Sequence, residues 1–212
     1  MNAKSFLEVV RADCAKHKVE LNLVDTEKIN YFNTGSFVSG YFDSDGNLEL
    51  ACAIGKEESK WLPILVHEYS HMHQWLDSKR GKYPIWNALG KAEETGTIDD
   101  WLANKDVSNI SEIVNLTQDL ELDCETRTIK LITQLGLEVD IPHYIKAANG
   151  YIVFYSVMFK HRKWCIKGPY ECQGIIDAVP DKLVTLKQCP KLAKKLDAIY
   201  LEWCWPKQLG IN

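Results

Sequence analysis

The sequence predicts an α+β fold. A small antiparallel or mixed sheet packs on one helix carrying a metal-binding signature and on a second long helix carrying acidic residues, and a mostly helical C-terminal part follows. Three observations lead there. Short runs alternating apolar and polar residues occupy the stretch up to Ala53, and long runs with helical spacing fill most of the rest. The motif His67-Glu68-Tyr69-Ser70-His71 sits where the first pattern gives way to the second. A chain of 212 residues suits one domain over 1–212, with a core over about 1–136 and a helical extension over about 137–212.

Each element follows from its pattern. From about Ala3 to His17, Phe6, Leu7, Val10 and Cys14 recur at helical spacing and predict an opening helix. Val19 to Val24 alternates apolar and polar residues and predicts a strand. Phe37–Phe42 and Leu48–Ala53 flank Asp43-Ser44-Asp45-Gly46-Asn47, whose Asp45-Gly46 step is expected to supply the positive φ angles of a hairpin. Gly55 and the pair Glu57-Glu58 mark the start of a helix that runs to about Ser78, with negative charge where the helix dipole favours it.

Gly81, Pro84, Gly90 and Gly96 break the pattern between Lys79 and Asp106, which predicts short helices and loops anchored by Trp86 and Trp101. Periodicity returns from about Ser108 to Leu135 and stops at Gly136, a residue that suits a helix C-terminus. A second long helix is expected from Pro142 to about Lys163, with Tyr151, Phe154, Tyr155, Met158 and Phe159 as a core stripe. The remainder, punctuated by Gly168-Pro169, Pro180, Pro190 and Pro206, predicts a strand or loop, a short Lys-rich helix near 189–200 and an irregular tail.

Composition narrows the function classes. Apolar residues make up 46%, charged residues 25% and the net charge is -4, which argues against disorder and against a nucleic-acid footprint. No run reaches the roughly eighteen apolar residues of a membrane span, and the N-terminus has no signal-peptide core, so a soluble cytoplasmic protein is expected. The seven cysteines are odd in number and scattered without a Cys-x-x-Cys pair, so reduced thiols are expected, with Cys52 and Cys124 as small core residues.

The motif carries the chemistry. Positions i and i+4 share a helix face, so His67 and His71 can direct one imidazole nitrogen each at a single Zn²⁺. Glu68 projects beside that point, where a carboxylate can act as general base. A catalytic zinc needs a third ligand, and the stretch Asp119 to Glu125 offers it. On a helix Glu121 and Glu125 share a face with Cys124, Thr128 and Ile132, whereas Asp123 faces solvent with Asp119, Arg127 and Lys130. Glu121 is assigned as ligand and Glu125 as the carboxylate behind a histidine, and the reverse assignment stays open. His73 points about 200° away from His71 and is poorly placed as a ligand. His143 and His161 can orient substrate or make a hydrogen bond.

The order of helix, strand, hairpin, His67-Glu68-x-x-His71 helix and acidic helix resembles the zincin metallopeptidases of the small glutamate-ligand, or gluzincin, kind. It is most similar to the ImmA/IrrE-like group and to metallopeptidase-like proteins of phages and bacteria. The resemblance covers about Val19 to Leu135. It departs from the group's pattern where Leu122 or Thr126, rather than alanine, follows the ligand glutamate.

The resemblance implies a zinc-dependent peptidase acting on a peptide or protein substrate, with Zn²⁺ as cofactor, in the host cytoplasm if phage-encoded. It implies that the strand before the metal helix, residues 48–53, pairs with extended substrate. Tyr151 or Tyr155 can donate to a developing oxyanion, as zinc peptidases use Tyr or His, and Tyr155 is the candidate catalytic residue. Another class of protein stays open: a zinc-binding regulatory or interaction protein that keeps the site with little or no proteolysis. A protease acting on nucleic-acid-bound proteins would need a basic tail that the sequence lacks.

Overall fold

The computed structural model describes residues 1–31 and 37–206. In chain order its elements are helix α1 (Ala3–His17), strands β1 (Glu20–Val24), β2 (Ile29–Asn30), β3 (Phe37–Val38), β4 (Gly40–Asp43) and β5 (Glu49–Ala53), then helices α2 (Glu58–Lys79), α3 (Pro84–Glu93), α4 (Ile98–Leu102), α5 (Ile110–Leu135), α6 (Ile141–His161), α7 (Gln173–Ala178) and α8 (Cys189–Cys204). This is the α+β class the sequence predicts. The chain divides into two compact units, Met1–Tyr83 with Cys124–Asp140, and Pro84–Asp123 with Ile141–Asn212.

In the first unit, α1 is closed at both ends by local chemistry. The Asn2 side chain accepts from the Ser5 amide, and Lys18 adopts the left-handed conformation (φ 59°) with its N–H on the Ala15 and Cys14 carbonyls. Phe6, Val10 and Cys14 are its buried stripe. The sheet order is β1-β5-β4, with β1 parallel and β4 antiparallel to β5. The register puts Leu21, Leu23, Leu50, Cys52, Phe42 and Gly40 on one face. That face meets α2, where Phe42 lies 5.9 Å from Trp75 and Cys52 Sγ donates to the Trp61 carbonyl. On the opposite face the buried Glu49 carboxylate accepts from Asn22 Nδ2 at 2.7 Å and Tyr41 Oη at 2.9 Å, which satisfies both oxygens.

Three local expectations change. The run Phe37–Phe42 is divided, its first two residues pairing with β2 and its remainder with β5. The loop between β4 and β5 turns by a side chain instead of by Asp45-Gly46: Asp43 Oδ1 accepts the amides of Asp45 and Gly46, and the positive φ falls on Leu48 at 50°. A five-residue connection leaves room for this Asx turn, which a two-residue hairpin does not have. Finally, β5 is the central strand, with β1 on one edge and β4 on the other, so residues 48–53 have no edge left for an extended substrate.

In the second unit, α4 begins with a reciprocal cap between Thr97 and Asp100. The stripe of α6 is core in part: Phe154, Tyr155 and Met158 are buried with Tyr200 and Cys204 of α8 and Ile175 of α7, whereas Tyr151 is half-buried and Phe159, at the end of the helix, is exposed. Buried Asn149 ties the 180–184 loop to α6, donating to the carbonyls of Pro180 and Lys182 and accepting the Val184 amide. The strand-or-loop expected before the last helix is a 3₁₀ turn (Pro169–Glu171), α7 and a second 3₁₀ turn (Leu186–Gln188), and the Lys-rich helix extends to Cys204. The irregular tail expected after it lies, beyond Pro206, outside the described residues. No described helix is long and apolar enough to cross a membrane.

Helix α5 ends as its glycine predicts. Gly136 takes φ 58°, and the Leu137 amide reaches back to the Ile132 carbonyl at 3.1 Å. Within the first unit the second half of α5 is fastened to α2. Thr128 Oγ1 donates to Ser70 Oγ at 3.0 Å, and Arg127 pairs with Asp77 at 2.7 Å while its guanidinium covers the Tyr83 ring. These contacts set where Cys124 and Glu125 stand beside the motif.

Candidate metal centre

Helix α2 continues without interruption through the motif, so His67 and His71 are one turn apart on one face. Their Nε2 atoms face each other at 3.1 Å, with ring centroids 4.6 Å apart and planes at 85°. The other nitrogen of each ring is occupied. His71 Nδ1 lies 2.8 Å from Gln74 Oε1, an atom that only accepts, so the proton sits on Nδ1 and the Nε2 lone pair faces His67. His67 Nδ1 lies 3.2 Å from Glu125 Oε1. Gln74 is itself buried and donates to Tyr83 Oη at 3.3 Å.

This arrangement is unfavourable for two neutral rings that both carry their proton on Nδ1. Two Nδ1–H tautomers would meet lone pair to lone pair, and a proton or a cation between them removes the conflict. The ring chemistry is consistent with that. Burial lowers the proton affinity of His67, but the acidic groups of Cys124 and Glu125 outweigh it and hold its pKa well above the ordinary histidine value.

Cys124 joins the group: it is fully buried, as its apolar pattern predicts, and its thiol also stands beside His67. His67, His71 and Cys124 each bring a donor atom within 4.8 Å of the others, so this cluster can hold a metal ion. Its Sγ lies 3.6 Å from His67 Nδ1 and 3.3 Å from the His67 carbonyl oxygen. The sequence did carry a signal, since Cys124 shares the helix face with Glu121 and Glu125. Gln74, three residues after His71, has no such signal, because its role depends on the Tyr83 hydroxyl it donates to.

Glu68 is positioned by the sheet. A Cβ on Gly40 would lie 2.8 Å from Ile64 Cγ2, 3.0 Å from Glu68 Cγ and 3.0 Å from the Ala51 carbonyl, so β4 approaches α2 here only because residue 40 lacks a side chain. The thiol of Cys52, on the same sheet face, is pushed up to about 12 by burial first and then by the charge of Glu68. Gly40→Ala is therefore expected to displace Glu68 and lower stability by about 1–3 kcal/mol while leaving metal content unchanged. Denaturant unfolding and elemental analysis on the same preparation check it.

The remaining candidates separate. Glu121 and Glu125 are both buried, as the periodicity predicts. Glu125 stands with the histidines in the first unit. In the second unit Glu121 accepts a hydrogen bond from Tyr155, whose hydroxyl also meets Tyr151 Oη at 2.9 Å. Burial first, and then the Glu121 charge, push the Tyr155 phenol well above its ordinary range, so it remains a neutral donor. His73 turns away from the motif to Asp13, 3.1 Å distant, and packs its ring edgewise on Tyr69. His161 pairs with Asp197 at 2.7 Å, a surface role, and His143 is exposed. No protein-family model, curated protein or solved structure matches this chain.

Proposed function

We propose that the chain is a zinc peptidase in which His67 and His71 hold the metal through Nε2 and Glu68 is the general base. The observation that carries this reading is the pair of Nε2 atoms 3.1 Å apart, each ring turned outward by an acceptor on Nδ1. Two nitrogens bound tetrahedrally to one zinc at about 2.0–2.1 Å lie about 3.3 Å apart, so the rings need almost no movement to become ligands. An acceptor on the remote nitrogen is also what fixes the tautomer and orientation of a zinc-bound imidazole. The donor set therefore fits the ion.

When bound, zinc supplies Lewis acidity that polarises a carbonyl and makes water nucleophilic at neutral pH. The chain's own residues do the rest. Glu125 and Gln74 keep the two imidazoles pointed inward, and Glu68 takes a proton from the attacking water and returns it to the leaving amine nitrogen. Tyr155, the candidate oxyanion donor, lies in the second unit, where it keeps a neutral hydroxyl on Glu121.

The position of Cys124 favours a second reading. Its thiol and the Glu125 carboxylate both stand beside His67 Nδ1, at 3.6 and 3.2 Å, and a set of His67, His71, Cys124 and Glu125 closed around an ion would be a structural site without an open position. That describes the zinc-binding regulatory protein without proteolysis. Cys124→Ser separates the two. On the peptidase reading the variant keeps about one zinc per chain and its cleavage of unfolded protein, whereas Glu125→Gln weakens metal binding by about 10–100-fold. Loss of zinc in Cys124→Ser, with no cleavage by the wild type, establishes the structural site instead.

A further inference from the structure

A cleft of about 750 Å³ lies wholly within the second unit, between α5, α6 and the start of α8. Its volume is in the range of small-molecule sites, about 300–1,000 Å³. Val114, Phe159, Leu186 and Ala193 give it an apolar lining. Lys160, Lys187 and Lys194 stand around it, and no Asp or Glu lines it. Lys160 is engaged by Asp197 at 2.7 Å, but neither Lys187 nor Lys194 has an ion pair among the described residues. Deeper in the cleft, buried Gln118 donates to the Ile152 carbonyl at 2.6 Å and to Ser156 Oγ at 3.2 Å. Ser156 accepts that bond and donates none among the described residues, so its hydroxyl proton is available to a ligand.

The charge placement runs against the local rule for helices. Lys187, Lys191 and Lys194 cluster at the N-terminal end of α8, which has no acidic residue in its first turn and no side-chain cap. Cations there oppose the helix dipole, and in a chain of net charge -4 two of them, Lys187 and Lys194, line one apolar cleft. Departures from local consistency of this kind are expected where function requires them.

We infer that this cleft binds a small amphipathic organic anion, with the apolar body on Val114, Phe159 and Leu186 and the acidic head at Lys187, Lys194 and the Ser156 hydroxyl. The cleft shares no residue with the metal centre, so it stands or falls independently of peptidase activity. The test uses calorimetric titration of the full chain with decanoate, with 1-decanol as the neutral match and an oligoglutamate peptide as the acidic macromolecular match. Decanoate is expected to bind about tenfold or more tightly than decanol. Lys187→Glu with Lys194→Glu should remove that advantage, and the equal charge change Lys4→Glu with Lys130→Glu, on the first unit, should leave it within about twofold. Equal binding of decanoate and decanol, equal loss in both double variants, or binding of oligoglutamate without decanoate overturns the assignment.

Discussion

Glu68→Gln is expected to lower kcat/KM for an unfolded protein or peptide substrate by about 10²–10⁴-fold while leaving zinc stoichiometry at the wild-type value. The amide keeps the size and packing of the side chain, so its contact with Gly40 is unchanged. What it loses is the ability to take a proton at neutral pH. Because Glu68 is not among the donor atoms that gather at His67, His71 and Cys124, elemental analysis should return the same metal content. The comparison with Gly40→Ala is informative. Gly40→Ala moves the carboxylate without removing it, so its loss of rate should be smaller, its loss of stability larger, and its pH profile should retain the base's ionisation. A Glu68→Gln protein that cleaves at the wild-type rate would refute the general-base assignment.

The parts of this site legible in the sequence are those fixed by helical periodicity. The i, i+4 spacing alone put His67 and His71 on one face, and the same arithmetic turned His73 away from them, to Asp13. Amphipathic spacing also separated the buried Glu121 and Glu125 from Asp123, because a helix face is a local property. Strand order is not local. Nothing in Glu49–Ala53 says that Glu20–Val24 will join it in parallel and occupy the edge expected for a substrate. The loop before β5 also resisted reading, since Asp45-Gly46 is a strong hairpin signal and the Asp43 carboxylate that overrides it acts through two backbone amides. The apolar pattern around Cys124 predicts its burial, which the structure shows, but not which side chain it meets. Its neighbour His67 is 57 positions away and becomes visible only once α5 is fastened to α2 by Thr128 and Arg127.

His71→Ala is expected to raise the zinc dissociation constant by more than the 10–100-fold that follows loss of an outer hydrogen-bonding partner, since it removes a directly binding nitrogen. Its thermal behaviour distinguishes a metal site from a buried polar cluster. In the wild type, zinc at about 1,000 times its dissociation constant should add about 4 kcal/mol to folding stability, which appears as a rise in Tm that chelator reverses. His71→Ala should lose this chelator-sensitive increment. Its metal-free form should fall by a separate amount, about 1–3 kcal/mol, because Gln74 Oε1 is left buried without the imidazole N–H it accepts. Gln74→Ala gives the converse pattern: the metal-dependent increment shrinks but survives, because the ring loses its orienting acceptor and keeps its Nε2 lone pair. If chelator leaves the wild-type Tm unchanged under conditions where His71→Ala is destabilised, the histidine pair serves packing alone, and the 3.1 Å contact is a proton-sharing pair of rings instead of half of a zinc site.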